Sequence, residues 1–161
     1  MQTCCYPPVA SVIFAGRQTN WEIKFVDRLP LYLALNGALV LTLSLFAGLF
    51  LYLAIRDDRE QAAWHLLHAG GTGRGVMLLA LAAIIEYPVL PVWQLSTTAW
   101  LFIIFTWTSM AAMTIRAVTG ERGLRCQGSI VNKLVYICYA VATIAIFPAV
   151  ALLIYGLLKA F

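Results

Sequence analysis

The segment His65–Ile85, HLLHAGGTGRGVMLLALAAII, places both histidines of the chain and an arginine at the start of a strongly apolar run. A membrane-spanning helix needs roughly 20 mostly apolar residues. Working outward from this segment, the sequence predicts four such spans, at about 31–55, 62–87, 95–118 and 131–158. Only short polar stretches separate them, so the expected fold class is all-α: an integral membrane antiparallel four-helix bundle.

The composition supports a membrane protein. Of 161 residues, 62% are apolar and 11% are charged, whereas soluble domains are about 45–50% apolar and about 25% charged. The net charge of +4 comes from basic residues spread thinly between apolar blocks, which argues against nucleic-acid binding. None of the four cysteines has CxxC spacing, which argues against a zinc or iron–sulfur site.

The first 28 residues differ from the rest of the chain. They contain Pro7-Pro8, are of mixed polarity and have no basic region ahead of their short apolar run, a poor match to a signal peptide. We expect residues 1–28 to form a tail at the membrane surface and residues 29–161 to form the four-span transmembrane domain. Cys4-Cys5 in the tail is a candidate palmitoylation site.

The charges flanking the spans predict an orientation. With four spans, one side of the membrane carries four basic residues, namely Arg17, Lys24, Arg28 and Lys159. The other side carries six, namely Arg56, Arg59, Arg116, Arg122, Arg125 and Lys133. Because positive charge favours the cytoplasm, loops 56–61 and 119–130 are predicted to be cytoplasmic, in a protein of the cell membrane.

The second span is the one with ionisable residues inside it, and such residues are functional candidates by default. At about 100° per residue, one helical face carries His65, His68, Gly71, Thr72 and Gly75. Gly71 and Gly75 form a GxxxG pattern, which allows another object to approach the backbone closely. Arg74 points to a different side of the helix.

Three interpretations of this face remain open. In the first, GxxxG is a helix-packing seam, and the histidines are satisfied by water or a carbonyl. In the second, an imidazole binds the metal of a planar macrocycle such as haem, the glycines make room for the ring, and an arginine pairs with a propionate. In the third, His65, His68 and Glu86 relay protons.

The stretch His68–Ile84, HAGGTGRGVMLLALAAI, resembles the second-helix motif of the styrene oxide isomerases, which are small four-helix membrane enzymes. That motif reads histidine, small residue, glycine, three residues, asparagine, glycine, methionine and an apolar run. His68, Gly70, Gly75 and Met77 fit it once Val76 is allowed for. The order of the spans and the polar loop GERGLR after the third also agree.

The resemblance implies a function as well as a fold. The resemblance implies a trimer in which haem b lies at the protomer interface, with the second-helix histidine as its axial ligand. Ferric haem then acts as a Lewis acid that opens an epoxide to a carbonyl compound with no net redox change. For this chain it implies His68 as iron ligand, a small lipophilic substrate, and a cofactor site of His68, Gly71, Thr72, Arg74 and Gly75.

The sequence also departs from the family pattern. Arg74, a permanent cation, stands where the family has a neutral asparagine. The third span has neither the aspartate nor the tyrosine that the family uses there; Thr106 and Thr114 stand nearest those positions. The candidate catalytic residues are therefore Arg74, Thr106 and Thr114. The alternatives are a haem-binding membrane protein that is not an enzyme and an accessory subunit of a larger membrane complex.

Overall fold

The computed structural model describes residues 28–160 of the chain. The predicted surface tail, apart from Arg28, and Cys4-Cys5 lie outside the described residues. Four helices follow one another: α1 (Leu29–Arg56), α2 (Ala62–Ile84), α3 (Val92–Thr119) and α4 (Ile130–Leu158). All four are long and apolar enough to cross a membrane, so the predicted all-α four-helix membrane architecture is confirmed.

Local sequence determines where the helices begin and end. The second span was predicted to reach residue 87, but α2 ends at Ile84, because a residue that precedes a proline such as Pro88 disfavours helical backbone. Pro91 has extended backbone and directly precedes α3, which therefore begins at Val92, before the predicted 95. At its other end α3 stops at Gly120, whose φ of 76° suits glycine at a helix C-terminus.

The helices pack unevenly around α3. Helix α1 packs along α2, α4 packs along α3, and α3 also touches α1 and α2. The backbone of α4 does not closely approach that of α1 or α2. A hydrogen bond of 2.8 Å from Trp107 Nε1 to Asn36 Oδ1 joins α3 to α1.

Two apolar clusters form the core. One lies towards the α2–α3 loop and contains Leu33, Leu78, Ile85, Phe102 and Ala149, among others. The second contains Val40, Ala47, Leu67, Met110 and Met113. Large apolar side chains also cover the outside of the helices, especially α1 and α4, as expected where the surrounding solvent is lipid.

Candidate functional site

The imidazole of His68 is held between α1 and α2. Its Nδ1 lies 2.8 Å from the backbone carbonyl oxygen of Ser44. A carbonyl only accepts hydrogen bonds, so Nδ1 carries the hydrogen, and in the neutral ring Nε2 keeps its lone pair. Within residues 28–160, Nε2 makes no hydrogen bond. His68 is therefore a half-buried imidazole of fixed orientation with one donor atom uncommitted.

Gly48 of α1 gives the His68 ring its space. A Cβ added at Gly48 would lie 2.9 Å from His68 Nδ1 and 3.0 Å from Cε1. Such distances are too short for a side chain, so a residue larger than glycine would displace the ring or the helix. The predicted site did not include Gly48 or Ser44. Their spacing with Gly37 on one face of α1 was a usable signal, since small residues line close helix contacts.

Hydroxyl groups join α1 to α2 directly behind His68. The Ser44 hydroxyl donates to the His68 carbonyl oxygen at 2.6 Å and lies 2.7 Å from the Thr72 hydroxyl. Thr72 in turn donates to the same carbonyl at 2.8 Å. Ser44 thus contacts His68 twice. Its backbone carbonyl accepts from the His68 ring, and its hydroxyl donates to the His68 backbone carbonyl. Thr72 acts here as part of the helix contact.

The two glycines of the GxxxG pattern are covered by neighbouring helices. A Cβ at Gly75 would lie 2.6 Å from Leu41 Cγ and 3.0 Å from the Gly37 carbonyl oxygen. A Cβ at Gly71 would lie 3.1 Å from both Met110 and Ser44. Within the described residues this face is a helix-packing seam, and the expectation that the glycines make room for a planar ring stays a prediction. That Gly71, Thr72 and Gly75 contact a cofactor stays a prediction without support from this packing.

Arg74 lies at the middle of α2 with its guanidinium turned towards α3. Its Nη1 donates to the Gly70 carbonyl oxygen at 2.9 Å and approaches Met113 Sδ at 3.7 Å. Its Cζ lies 5.3 Å from the centroid of the Phe105 ring, within the range of a cation–π interaction. Its Nε is buried and has no hydrogen-bond partner. An arginine at the centre of a span costs about 2.5–3.5 kcal/mol or more, so this position calls for a functional explanation.

The two threonines predicted to be catalytic lie in different surroundings. Thr106 is fully buried, and its hydroxyl has no hydrogen-bond partner. Thr114 is exposed, and its hydroxyl donates to the Met110 carbonyl oxygen at 2.8 Å. In the described part of the chain, no hydrogen bond joins either threonine to Arg74 or His68. The structure does not link the predicted catalytic residues by direct contacts.

A family model described as styrene oxide isomerase matches residues 30–158. The chain belongs to the styrene oxide isomerase family. The match begins at the start of α1 and ends at the last residue of α4, so it covers the whole membrane domain. This membership supports an isomerase acting on epoxides as the general class of function. No curated protein matches the chain closely enough to count as a relative.

The side chains around His68 bear on which kind of metal centre this styrene oxide isomerase family member could hold. Within residues 28–160, no three His, Cys, Asp or Glu residues lie close enough to hold a metal ion together. One imidazole with a free Nε2 therefore suits a metal whose other ligands come from a macrocycle, as in haem. The Nδ1 hydrogen bond to a carbonyl is the usual support for a metal-binding histidine.

The other two ionisable groups of the proton-relay interpretation lie apart from His68. His65 is exposed near the start of α2, and Glu86 is exposed in the loop beyond its end. Neither side chain makes a hydrogen bond within residues 28–160. This arrangement gives no support to a relay from His65 through His68 to Glu86.

A cavity of about 580 Å³ lies between the end of α3, the following loop and the first half of α4. Its lining includes Arg116, Arg122, Tyr136, Tyr139 and Thr143. None of the residues predicted to form the site lines this cavity. Tyr139 of this lining packs against the apolar cluster that contains Met113.

Proposed function

We propose that this chain is a haem b-dependent isomerase that opens an epoxide to a carbonyl compound. Family membership supports the reaction class. One observation supports haem as the cofactor. The Nδ1 of His68 is hydrogen-bonded to the Ser44 carbonyl, while Nε2 makes no hydrogen bond within residues 28–160. The rearrangement is intramolecular. One C–O bond of the epoxide breaks, a hydrogen moves with its electron pair to that carbon, and the remaining C–O bond becomes the carbonyl.

In this proposal His68 Nε2 would hold the haem iron. When bound, ferric haem supplies a Lewis acid for the epoxide oxygen. The Ser44 carbonyl accepts from Nδ1–H, which fixes the orientation of the ring and leaves Nε2 as the atom that would bind the metal. Gly48 permits this orientation by leaving the space that the ring occupies.

The surroundings of His68 suit a reaction that water would divert. An apolar cluster formed by α1, α2 and α3 contains Leu67, the residue before His68, together with Val40 and Met110. Excluding water strengthens electrostatic interactions and prevents hydrolysis of reactive species. We propose Arg74 as a polar contact for the bound molecule, because its side chain is partly exposed and its Nη2 makes no hydrogen bond within residues 28–160. Thr106 and Thr114 are weaker candidates, since one is fully buried and the other is already bonded.

Assembly and location belong to the same proposal. The exposed apolar side chains of α1 and α4 suit contact with lipid or with another protomer. By the family resemblance we propose a homotrimer in the cell membrane with loops 56–61 and 119–130 in the cytoplasm. Size-exclusion chromatography with light scattering would test the trimer, and protease protection in oriented vesicles would test the orientation.

A second candidate function is a haem-binding membrane protein without isomerase activity. The observation that favours it is the charged Arg74 on α2, combined with an α3 that contains no carboxylate and no tyrosine. Haem content without turnover across a panel of aromatic and aliphatic epoxides would select this function over the first.

An absorption spectrum of the purified protein, prepared with adequate haem supply, tests the proposal. We expect a Soret band in the wild-type protein, its loss in His68→Ala, and its retention in the matched control His65→Ala, which removes the exposed histidine of the same helix. At least one member of a panel of aromatic and aliphatic epoxides, added to the haem-loaded protein, should be converted to the isomeric carbonyl compound without any added reductant or oxidant. A colourless wild-type protein, or an unchanged band in His68→Ala, would overturn the haem assignment.

A further inference from the structure

The side chain of Arg74 has more hydrogen-bonding capacity than its surroundings use. Nη1 is engaged by the Gly70 carbonyl and the Met113 sulfur. The buried Nε has no partner, and Nη2 has none within residues 28–160. A guanidinium presents five N–H donors in a planar fork, so Nη2 keeps hydrogen-bonding capacity that its surroundings do not use.

The positive charge of Arg74 is also uncompensated within the described chain. The acidic residues between 28 and 160 all lie in loops, namely Asp57, Asp58, Glu60, Glu86 and Glu121. The ion pairs formed in this part of the chain involve only Asp57, with Arg56 and Arg59. No carboxylate of these residues therefore pairs with the charge at the centre of α2.

The depth of Arg74 separates it from the other cations of the helices. Arg56 and Arg116 lie in the last turns of their helices, where a long side chain reaches the polar interface. Arg74 instead turns back by one helical turn to the Gly70 carbonyl and lies over Phe105. A charge held at mid-membrane depth in this way favours a bound anion as its partner.

The neighbours of Arg74 indicate what kind of anion would fit. Phe105 and Met113 of α3 contact the guanidinium directly, and Tyr139 of α4 packs against the apolar cluster that contains Met113. The backbones of α2 and α4 do not approach each other closely, and the side chain of Arg74 is only partly buried. An aromatic and apolar surface beside a guanidinium fork suits an amphipathic molecule with a planar anionic group.

We propose that Arg74 binds the carboxylate of an amphipathic acid beside Phe105 and Met113. A carboxylate accepts charge-assisted N–H bonds from an arginine. Nη2 is the donor left for it, because Nε is buried and Nη1 is already engaged. Two sources share this chemistry, namely an acidic substrate and a porphyrin propionate. The identification of the acid as a substrate rests on the proposed isomerase function, whereas binding of the carboxylate does not.

The first arm of the test uses small ligands and no turnover. Haem-free protein in detergent is titrated by calorimetry with 3-phenylpropanoate and with the neutral 3-phenylpropanamide. If the acid is a substrate-type ligand, it should bind about ten- to a hundredfold more tightly than the amide, the usual range for a charge-assisted bond. The preference should disappear in Arg74→Gln and persist in Arg59→Gln, which removes the same charge from an exposed loop position.

The second arm identifies a cofactor carboxylate. The same proteins are titrated with haem b and with its dimethyl ester, and binding is followed by porphyrin absorbance. If haem b binds more tightly than its dimethyl ester and this preference is lost in Arg74→Gln, the site binds a porphyrin propionate. If only 3-phenylpropanoate is preferred over its neutral counterpart, the site binds the carboxylate of a substrate. Arg74→Lys, which keeps the charge without the fork, should retain part of either preference.

The proposal and the isomerase function can fail separately. If no epoxide is rearranged but the preference for either acid depends on Arg74, the carboxylate site is supported and the isomerase function is not. If the wild-type protein shows no preference for the acid in either arm, the proposal is overturned even should Arg74→Gln fail to fold. Equal loss of preference in Arg74→Gln and Arg59→Gln would also overturn it, because the effect would then be one of net charge.

Discussion

The two helix pairs of this molecule are held together by different means. Between α1 and α2, backbones approach closely: a Cβ on Gly37 would lie 2.9 Å from the Gly75 carbonyl oxygen. Polar groups cross this interface, since Ser44 contacts both ends of His68. Between α3 and α4, small apolar residues of α4 such as Ala142, Ala145 and Ala149 are buried instead.

The hydroxyl groups of α3 and α4 show the same contrast. Thr98, Thr108 and Thr114 of α3 and Thr143 of α4 each donate to a carbonyl of their own helix, a common arrangement for threonine in a helix. The polar bonds of this pair are concentrated in the connecting loop. There Asn132 accepts from Gly123 N at 2.8 Å and donates to the carbonyl oxygens of Arg125 and Gln127.

This difference explains why His68 lies where it does. An interface built from glycine and hydroxyl side chains fixes two backbones at short distance, and the His68 ring is oriented by a backbone carbonyl across that interface. Alanine packing and the loop hydrogen bonds of Asn132 hold α4 on α3, and neither histidine of the chain lies on these two helices. The orientation of the proposed iron ligand therefore depends on the approach of α1 to α2.

The largest expected effect comes from widening the α1–α2 interface. Gly75→Leu places atoms where Leu41 Cγ and the Gly37 carbonyl already lie, at 2.6 and 3.0 Å from the new Cβ. Overpacking of this kind costs about 3 kcal/mol, which would lower the free energy of unfolding measured by denaturant titration in detergent.

Gly73 supplies the matched control for this change. It lies on the same helix, and a Cβ added there meets nothing within 4 Å. Gly73→Leu should leave stability unchanged or raise it by up to about 1 kcal/mol, because glycine is a poor helix former. Equal destabilisation by the two substitutions would show that the close approach of α1 to α2 does not stabilise the fold.

The next largest effect is expected from removing the hydrogen bonds that join Asn132 to the α3–α4 loop. Asn132→Ala removes three hydrogen bonds to the loop and should lower the free energy of unfolding by about 2 kcal/mol. Gln127→Ala keeps the carbonyl that Asn132 uses and serves as control. The His68 environment should not change in Asn132→Ala, so a shifted haem spectrum would show that the two helix pairs are coupled.

A smaller effect separates ligand orientation from stability. Gly48→Ala introduces a Cβ 2.9 Å from His68 Nδ1, which should turn the ring and lengthen its bond to the Ser44 carbonyl. Loss of such support to a metal ligand typically lowers affinity about 10- to 100-fold, measured here by haem titration. Ser44→Ala is the control: it removes the hydroxyl but keeps the backbone carbonyl, so haem affinity should stay close to wild type.

The sequence predicts the spans well because each is a long apolar run, whose membrane insertion does not depend on its neighbours. It also places His68 and the glycines on one face of α2. The sequence alone does not show which helix covers that face. The roles of Gly37, Ser44 and Gly48 become evident only once α1 is seen to pack against α2. The free donors of Arg74 could not be predicted either, since they depend on which residues α3 and α4 bring near it.

The smallest expected effect concerns Thr106, whose hydroxyl is buried without a partner. An unsatisfied buried hydroxyl costs about 1–3 kcal/mol, so the near-isosteric Thr106→Val should raise stability by about 1 kcal/mol. Thr98→Val is the control: Thr98 is equally buried but donates to the Gln94 carbonyl at 2.8 Å, so its loss should be neutral or slightly destabilising.

The same variant tests the predicted catalytic role of Thr106. If its hydroxyl binds the substrate, Thr106→Val should gain stability and lose epoxide turnover together. If the hydroxyl is only an unpaired group in the core, stability should rise while the rate of aldehyde formation stays unchanged. A stabilised variant with full turnover would remove Thr106 from the site and leave Arg74 as the one polar side chain with donors free for a ligand among the three predicted catalytic residues.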